Sequence, residues 1–127
     1  MGLDVSHDAF SGAYSAFSRF RMAICLATGG AIASKSPETR WTFGPGFSPE
    51  THPGLFEFLC HSDCDGQIST ELAAACADEM EALLPILDEM RDAFGHIARD
   101  GGYGAVAKRW IAGCRLAAEK GEPLEFM

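Results

Sequence analysis

The sequence predicts a mainly α fold, four to five helices packed as a small single domain over residues 1–127, with short strands at its termini. Three observations carry that prediction. Apolar residues recur at steps of three and four, the period of a helix with one buried face. Glycine and proline clusters, at Gly29-Gly30, Gly44-Pro45-Gly46, Gly101-Gly102 and Gly121 with Pro123, fall between these stretches and mark where they stop. At 127 residues, 47% hydrophobic and 22% charged, the chain can enclose one core but not two.

Taken in order, Gly2 to Ser6 reads as a short extended segment. A first helix is expected from Asp8 or Ser11 to Thr28, with Phe10, Ala13, Phe17, Phe20, Ile24 and Ala27 on its apolar face and Gly29-Gly30 as its stop. Residues 29–52 hold Pro37, Pro45, Pro49 and the turn Gly44-Pro45-Gly46, which exclude a long helix; Arg40 to Phe43 is a candidate strand. Trp41, Phe43 and Phe47 either pin this irregular stretch to the core or stack on a planar ligand. Pro53 suits the first turn of a short helix through Cys60 that buries Leu55, Phe58 and Leu59.

Ser69 has the chemistry of an N-cap. Leu72, Cys76, Met80, Leu83, Leu87, Met90, Phe94 and Ile97 then mark one helical face, opposite Asp78, Glu81, Pro85, Asp88 and Asp92. Pro85 removes a helical hydrogen bond and is expected to kink or split this helix. After Gly101-Gly102, a last helix from Tyr103 to Lys120 buries Val106, Ala107, Trp110, Cys114 and Ala117, then ends at Gly121 and Pro123. Leu124-Glu125-Phe126 alternates as a terminal strand does, and Leu3-Asp4-Val5 is its candidate partner.

The net charge of −8 and pI near 4.8 argue against a nucleic-acid-binding face. Residues 61–100 hold ten carboxylates against Arg91 and Arg99, so the acidity is concentrated there. Such a segment is a solvated face, a surface for cations or a basic protein partner, or a mimic of nucleic acid. No apolar run is long enough to span a bilayer, and the N-terminus lacks a secretory pattern, so a cytoplasmic protein is expected. Met1 to Ser6 fits an N-myristoylation pattern, but no second anchor follows. Of the five cysteines, Cys25, Cys76 and Cys114 fall on apolar stripes and Cys60 is expected in the core beside Leu59.

The densest chemistry lies in Cys60-His61-Ser62-Asp63-Cys64-Asp65-Gly66-Gln67-Ile68-Ser69-Thr70-Glu71. With Gly66 at the sixth position of an EF-hand loop, Asp63 and Asp65 take the third and fifth and Ile68 the apolar eighth. The resemblance to an EF-hand covers only this dozen residues and departs at both ends. His61 stands where the first aspartate belongs, and Leu72 takes the twelfth position, with Glu71 one place early. His61, Asp63, Asp65 and Glu71 are thus candidate ligands for a divalent cation such as calcium. Cys60, His61, Asp63 and Cys64 are a softer set for zinc, completed by a distant residue such as His7 or His52. The plain alternative is an acidic turn whose side chains bond local backbone N–H groups.

A second candidate site lies on the first helix. Tyr14 and Arg21 project to one edge of its apolar arc with Ser18 beyond them, an arrangement suited to a carboxylate or phosphate. Arg19 projects outward and His7 precedes the helix, where it can carry a proton near neutral pH. An internal role for Arg21, bonded to an acid at the N-terminus or after position 61, is the competing reading. No phosphate-cradling glycine loop, nucleophile elbow or zinc-deaminase signature is present.

Met1-Gly2-Leu3-Asp4-Val5-Ser6-His7, Gly12 to Arg21, His61 to Gly66, and Gly121-Glu122-Pro123-Leu124-Glu125-Phe126 together resemble a group of small phage- and prophage-encoded proteins. The resemblance brings no activity with it. It implies an accessory protein in the host cytoplasm, acting against host defence by sequestering a small anionic or nucleotide ligand or by blocking a host protein. Two other classes stay open: a metal-dependent phosphodiester hydrolase built on His61, Asp63 and Asp65, joined by Asp4 and His7 if the two segments meet, and a calcium-stabilised regulatory protein. Neither direct nucleic-acid binding nor a membrane is expected, and a homo-oligomer is admitted.

Overall fold

The computed structural model describes residues 2–34, 40–62, 65–88 and 102–127. It is mainly helical: α1 (Tyr14–Ala27), α2 (Pro53–Cys60), α3 (Thr70–Glu81), α4 (Leu84–Leu87) and α5 (Gly102–Lys120). Short strands β1 (Gly2–Val5), β2 (Phe10–Ala13), β3 (Ala31–Ser34), β4 (Arg40–Thr42), β5 (Gln67–Ile68) and β6 (Leu124–Glu125) form three antiparallel pairs, β1–β2, β3–β4 and β5–β6.

Helix α1 starts later than its apolar period suggested. Residues Phe10–Ala13 pair with β1 in the register Val5↔Phe10 to Gly2↔Ala13. This packing holds because Gly2 has no side chain: a Cβ there would lie 2.9 Å from the Gly12 carbonyl oxygen. Leu3, Val5 and Phe10 are buried by the two-residue period of strands, which a short window confuses with a helical face. A hairpin (Ala31↔Thr42, Ile32↔Trp41) also replaces part of the stretch expected to be irregular.

The helix ends follow their residues. Gly29, at φ +91°, ends α1; its N–H bonds the Leu26 carbonyl and that of Gly30 bonds Cys25 at 3.0 Å, a Schellman cap. Ser69 Oγ accepts the Leu72 N–H and caps α3. Beyond Glu81 the helix breaks, and Pro85 sits in the first turn of α4, where its missing N–H costs nothing. Met90, Asp92, Phe94, Ile97 and Gly101 lie outside the described residues.

Helix α3 packs along α5 and crosses α2. Gly54 permits that crossing, since a Cβ there would lie 2.1 Å from the Cys76 nitrogen. The core is aromatic: Phe17 meets Phe10, Phe20, Phe58, Trp110 and Phe126 at centroid distances of 5.0–6.5 Å, mostly edge to face. Cys25, Cys76 and Cys114 are buried as expected, whereas Cys60 is exposed rather than packed in the core. It lies on the last turn of α2, whose inward face is taken by Leu55, Phe58 and Leu59.

The segments at 2–5 and 124–127 meet. β6 pairs with β5 (Ile68↔Leu124), and beyond it Phe126 bridges to Val5 while Asp4 and Met127 exchange backbone bonds at 3.3 and 2.8 Å. The expected contact of the two termini is present, but the main partner of β6 is the strand after the acidic loop.

Candidate functional site

The acidic loop has the local architecture of a helix–loop–helix unit. α2 leads in, Gly66 turns the chain at φ +87°, and Ile68 is buried in β5 before α3 begins. In paired EF-hands a second loop would supply the strand beside Ile68; here Leu124 of β6 takes that place. The His61 ring folds back over Gly66, at 3.4 Å from where a Cβ would be, and lies against Phe126 with centroids 4.3 Å apart. Its Nδ1 faces the Ser62 carbonyl at 2.8 Å and its Nε2 the Gln67 carbonyl at 3.0 Å, so this ring is directed at main-chain oxygens.

Asp65 and Glu71 are exposed on either side of β5. Asp63 and Cys64, central to the calcium and zinc sets, lie outside the described residues. Among the described residues no group of three or more His, Cys, Asp or Glu side chains stands close enough to share an ion.

Of the candidates around α1, Arg21 is held inside. It is 7% exposed, packs its guanidinium over the Phe17 ring at 4.9 Å, and donates from Nη2 to the main-chain carbonyls of His61 and Ser62. This is an internal role of the kind that competes with ligand binding, and the main-chain carbonyls of His61 and Ser62 are among its partners. Tyr14 and Ser18 are half-buried and Arg19 is exposed. The link does join the two sequence-derived regions: Arg21 positions the start of the acidic loop.

His7 lies elsewhere, in a single 3₁₀ turn over Ser6–Asp8, where His7 and Asp8 adopt φ of +59° and +58°. Its Nδ1 is 2.9 Å from Ser6 Oγ and its Nε2 is 2.9 Å from Glu122 Oε1. Ser6 Oγ also accepts the Glu125 N–H at 2.8 Å. The bond from His7 holds the Glu122 carboxyl below its ordinary range. Asp8 is braced by Arg109, which bonds both its carboxylate and its carbonyl. Asp4, the other N-terminal acid considered, accepts from Ser11 Oγ at 2.6 Å across the β1–β2 pair.

The C-terminal segment separates this turn from the acidic loop. Phe126 bridges to Val5 on one side and donates its N–H to the Gly66 carbonyl on the other, at 2.9 Å. His7 and His61 therefore flank one strand and do not face a common cavity.

Ser6 and Glu122 were not among the sequence-derived candidates. They lie at opposite ends of the chain, and no spacing rule connects them. Glu79 was missed for the same reason: its carboxylate reaches across to the Gly54 and Leu55 N–H groups, at 3.1 and 3.0 Å, and caps α2. Two aromatics of the proline-rich stretch pin it to α2: Phe43 and Phe47 meet the Phe56 ring at 5.2 and 6.1 Å. Phe43 and Phe47 stack at 5.0 Å, and Phe47 stacks on His52 at 4.9 Å.

Fold and site together define a small mainly α protein with two histidine-bearing turns set against its C-terminal strand. No protein-family model, curated protein or solved structure matches the chain. Among the described residues, no helix is long and apolar enough to cross a membrane.

Proposed function

We propose that the chain is a phage-type accessory protein that works by binding, and that of its two candidate targets a host protein with a basic surface is favoured over a small anion. The observation that carries this choice is the use of Arg21. The cation best placed to read an anion is buried and committed to the carbonyls of His61 and Ser62. Exposed carboxylates meanwhile run from Asp65 through Glu71, Asp78 and Glu81 to Asp88, with Arg115 set against Asp78 and Glu81. Electrostatic complementarity of this kind steers association and weakens with salt. The resemblance of both termini and the acidic loop to small phage proteins supports the accessory role.

The test is native mass spectrometry of the protein purified from bacterial cells, beside a variant with Glu71→Gln, Asp78→Asn and Glu81→Gln. The reading expects a protein complex that is lost at high salt and absent with the variant. An organic anion retained by both proteins would move the assignment to sequestration. A divalent ion removed by a chelator would move it to the metal-dependent readings at His61, Asp63, Asp65 and Glu71.

A further inference from the structure

We propose that Ser6, His7 and Glu122 form a nucleophilic site, with Ser6 Oγ as nucleophile, His7 as its general base and Glu122 as the group that orients the imidazole, acting on a small unhindered acyl ester. The argument begins with the hydrogen-bond chain. Ser6 Oγ and His7 Nδ1 are 2.9 Å apart, and His7 Nε2 and Glu122 Oε1 are 2.9 Å apart. A neutral imidazole satisfies both contacts in one way: the Ser6 hydroxyl donates to Nδ1, and the Nε2–H donates to the carboxylate. That is the serine–histidine–acid relay recognised by geometry and roles rather than by sequence order.

Three further observations set this arrangement apart from an ordinary surface bond. Two consecutive non-glycine residues, His7 and Asp8, are held at positive φ, a conformation that costs roughly 1–2 kcal/mol per residue. Strain of this kind persists where surrounding contacts over-determine it, and it clusters at functional sites. Here Arg109 grips Asp8 through both carbonyl and carboxylate, and Gly113 leaves room for Ala9, whose Cβ would be 2.5 Å from a Cβ at position 113. The His7 side chain is only 12% exposed while that of Glu122 is 54% exposed, so the base is partly shielded at a rim that solvent reaches. Finally, Ser6 Oγ accepts the Glu125 N–H at 2.8 Å, a bond that fixes the hydroxyl beside the imidazole with its own proton free to point at Nδ1.

The step balances within these groups. Ser6 Oγ bonds to the acyl carbon, its proton passes to His7 Nδ1 and then to the departing alkoxide, and Glu122 stabilises the transient imidazolium. Water then attacks the acyl-serine, giving its proton to Nδ1, which returns it to Oγ as the carboxylic acid leaves. Ser6 and His7 touch the reacting atoms; Glu122 is a positioning residue.

The experiment uses the full chain carrying Cys60→Ser, because the exposed Cys60 thiol would also accept an acyl group. p-Nitrophenyl acetate is the probe, read by nitrophenol release and by peptide mass spectrometry. The expected result is acetyl on the peptide containing Ser6 and turnover that Ser6→Ala and His7→Gln reduce by on the order of 100-fold. Glu122→Gln keeps an acceptor for Nε2–H, so the fold is retained; it should slow turnover at least about tenfold and displace the pH–rate profile, which a purely structural tie would not do. If Ser6→Ala fails to fold, the Glu122→Gln comparison decides. Acetyl confined to other residues, release no faster than in buffer, or Glu122→Gln turning over like its parent overturns the proposal.

Discussion

The Ser6–Asp8 turn and the His61–Ile68 loop lie on opposite sides of the same C-terminal segment, and each presents a histidine to it or beside it. They are stabilised in opposite ways. The loop turns at a glycine, and its histidine faces main-chain carbonyls of Ser62 and Gln67. The turn has no glycine at its two positive-φ positions, and its histidine bonds two side chains, Ser6 and Glu122. Main-chain oxygens are always acceptors, whereas a hydroxyl and a carboxylate can exchange protons with the ring. The loop is thus built for shape, and the turn for chemistry.

The largest way to break the comparison is to remove what the two share. Phe126 touches the His61 ring and stacks edge-on against Phe17 and Trp110. Phe126→Ala is expected to cost about 3–5 kcal/mol in urea unfolding, since large-to-small changes in a filled core leave a cavity. Both histidine NMR signals should move. If only that of His61 responds, the C-terminal segment does not couple the two regions.

Next in size is Arg21→Ala, which removes charged hydrogen bonds to the His61 and Ser62 carbonyls of the loop. A loss of about 2–3 kcal/mol is expected, together with a displaced His61 signal and an unchanged His7 signal. Arg21→Lys should recover little, because an ammonium cannot reproduce the flat guanidinium over Phe17. A fully stable Arg21→Ala protein would return Arg21 to the pool of ligand-binding candidates.

The backbone contrast gives a smaller, paired test. Gly66→Ala forces an L-residue to φ +87° and should cost about 1–2 kcal/mol. Asp8→Gly works the other way: it relieves a strained position and gives up an exposed pair with Arg109 worth about 0–1 kcal/mol. Its stability should stay close to the parent's. Equal losses at both sites would mean that the turn holds no more strain than the loop.

How far the sequence could be read tracks how local each feature is. The cap at Ser69, the stops at Gly29 and Gly121 and the break at Pro85 depend on residues within one turn, and all are where their chemistry placed them. Phe10 misled because four residues are too few to separate a strand period from a helical one, and its true partner, Val5, lies across a turn. Arg21 was recognisable as a buried-edge cation, but the main-chain carbonyls of His61 and Ser62 leave no trace in a sequence, so these two partners could not be named. The Ser6–His7–Glu122 chain was out of reach altogether, since it depends on α5 and the sheet returning residue 122 to residue 7.

The smallest expected effect is also the one that bears most directly on the turn. The hydrogen bond from His7 is the main cause holding the Glu122 carboxyl below its ordinary value of 4.5, with the charges of His7 and Lys120 acting the same way. A carboxyl depressed on folding binds its proton more weakly in the native state than in the unfolded one. Its contribution is therefore complete above 4.5 and fades as the pH falls through the lower native value. Glu81, lowered by Arg115, fades over the same acidic window, so the total acid loss does not isolate the turn. The difference between wild type and Glu122→Gln does. Urea midpoints measured from pH 6 down to about pH 3 should show the wild type ahead at the upper end and the gap closing below 4.5. A gap independent of pH would mean that Glu122 is not drawn to His7 in solution, and the turn would then lose its claim to be the reactive half of the pair.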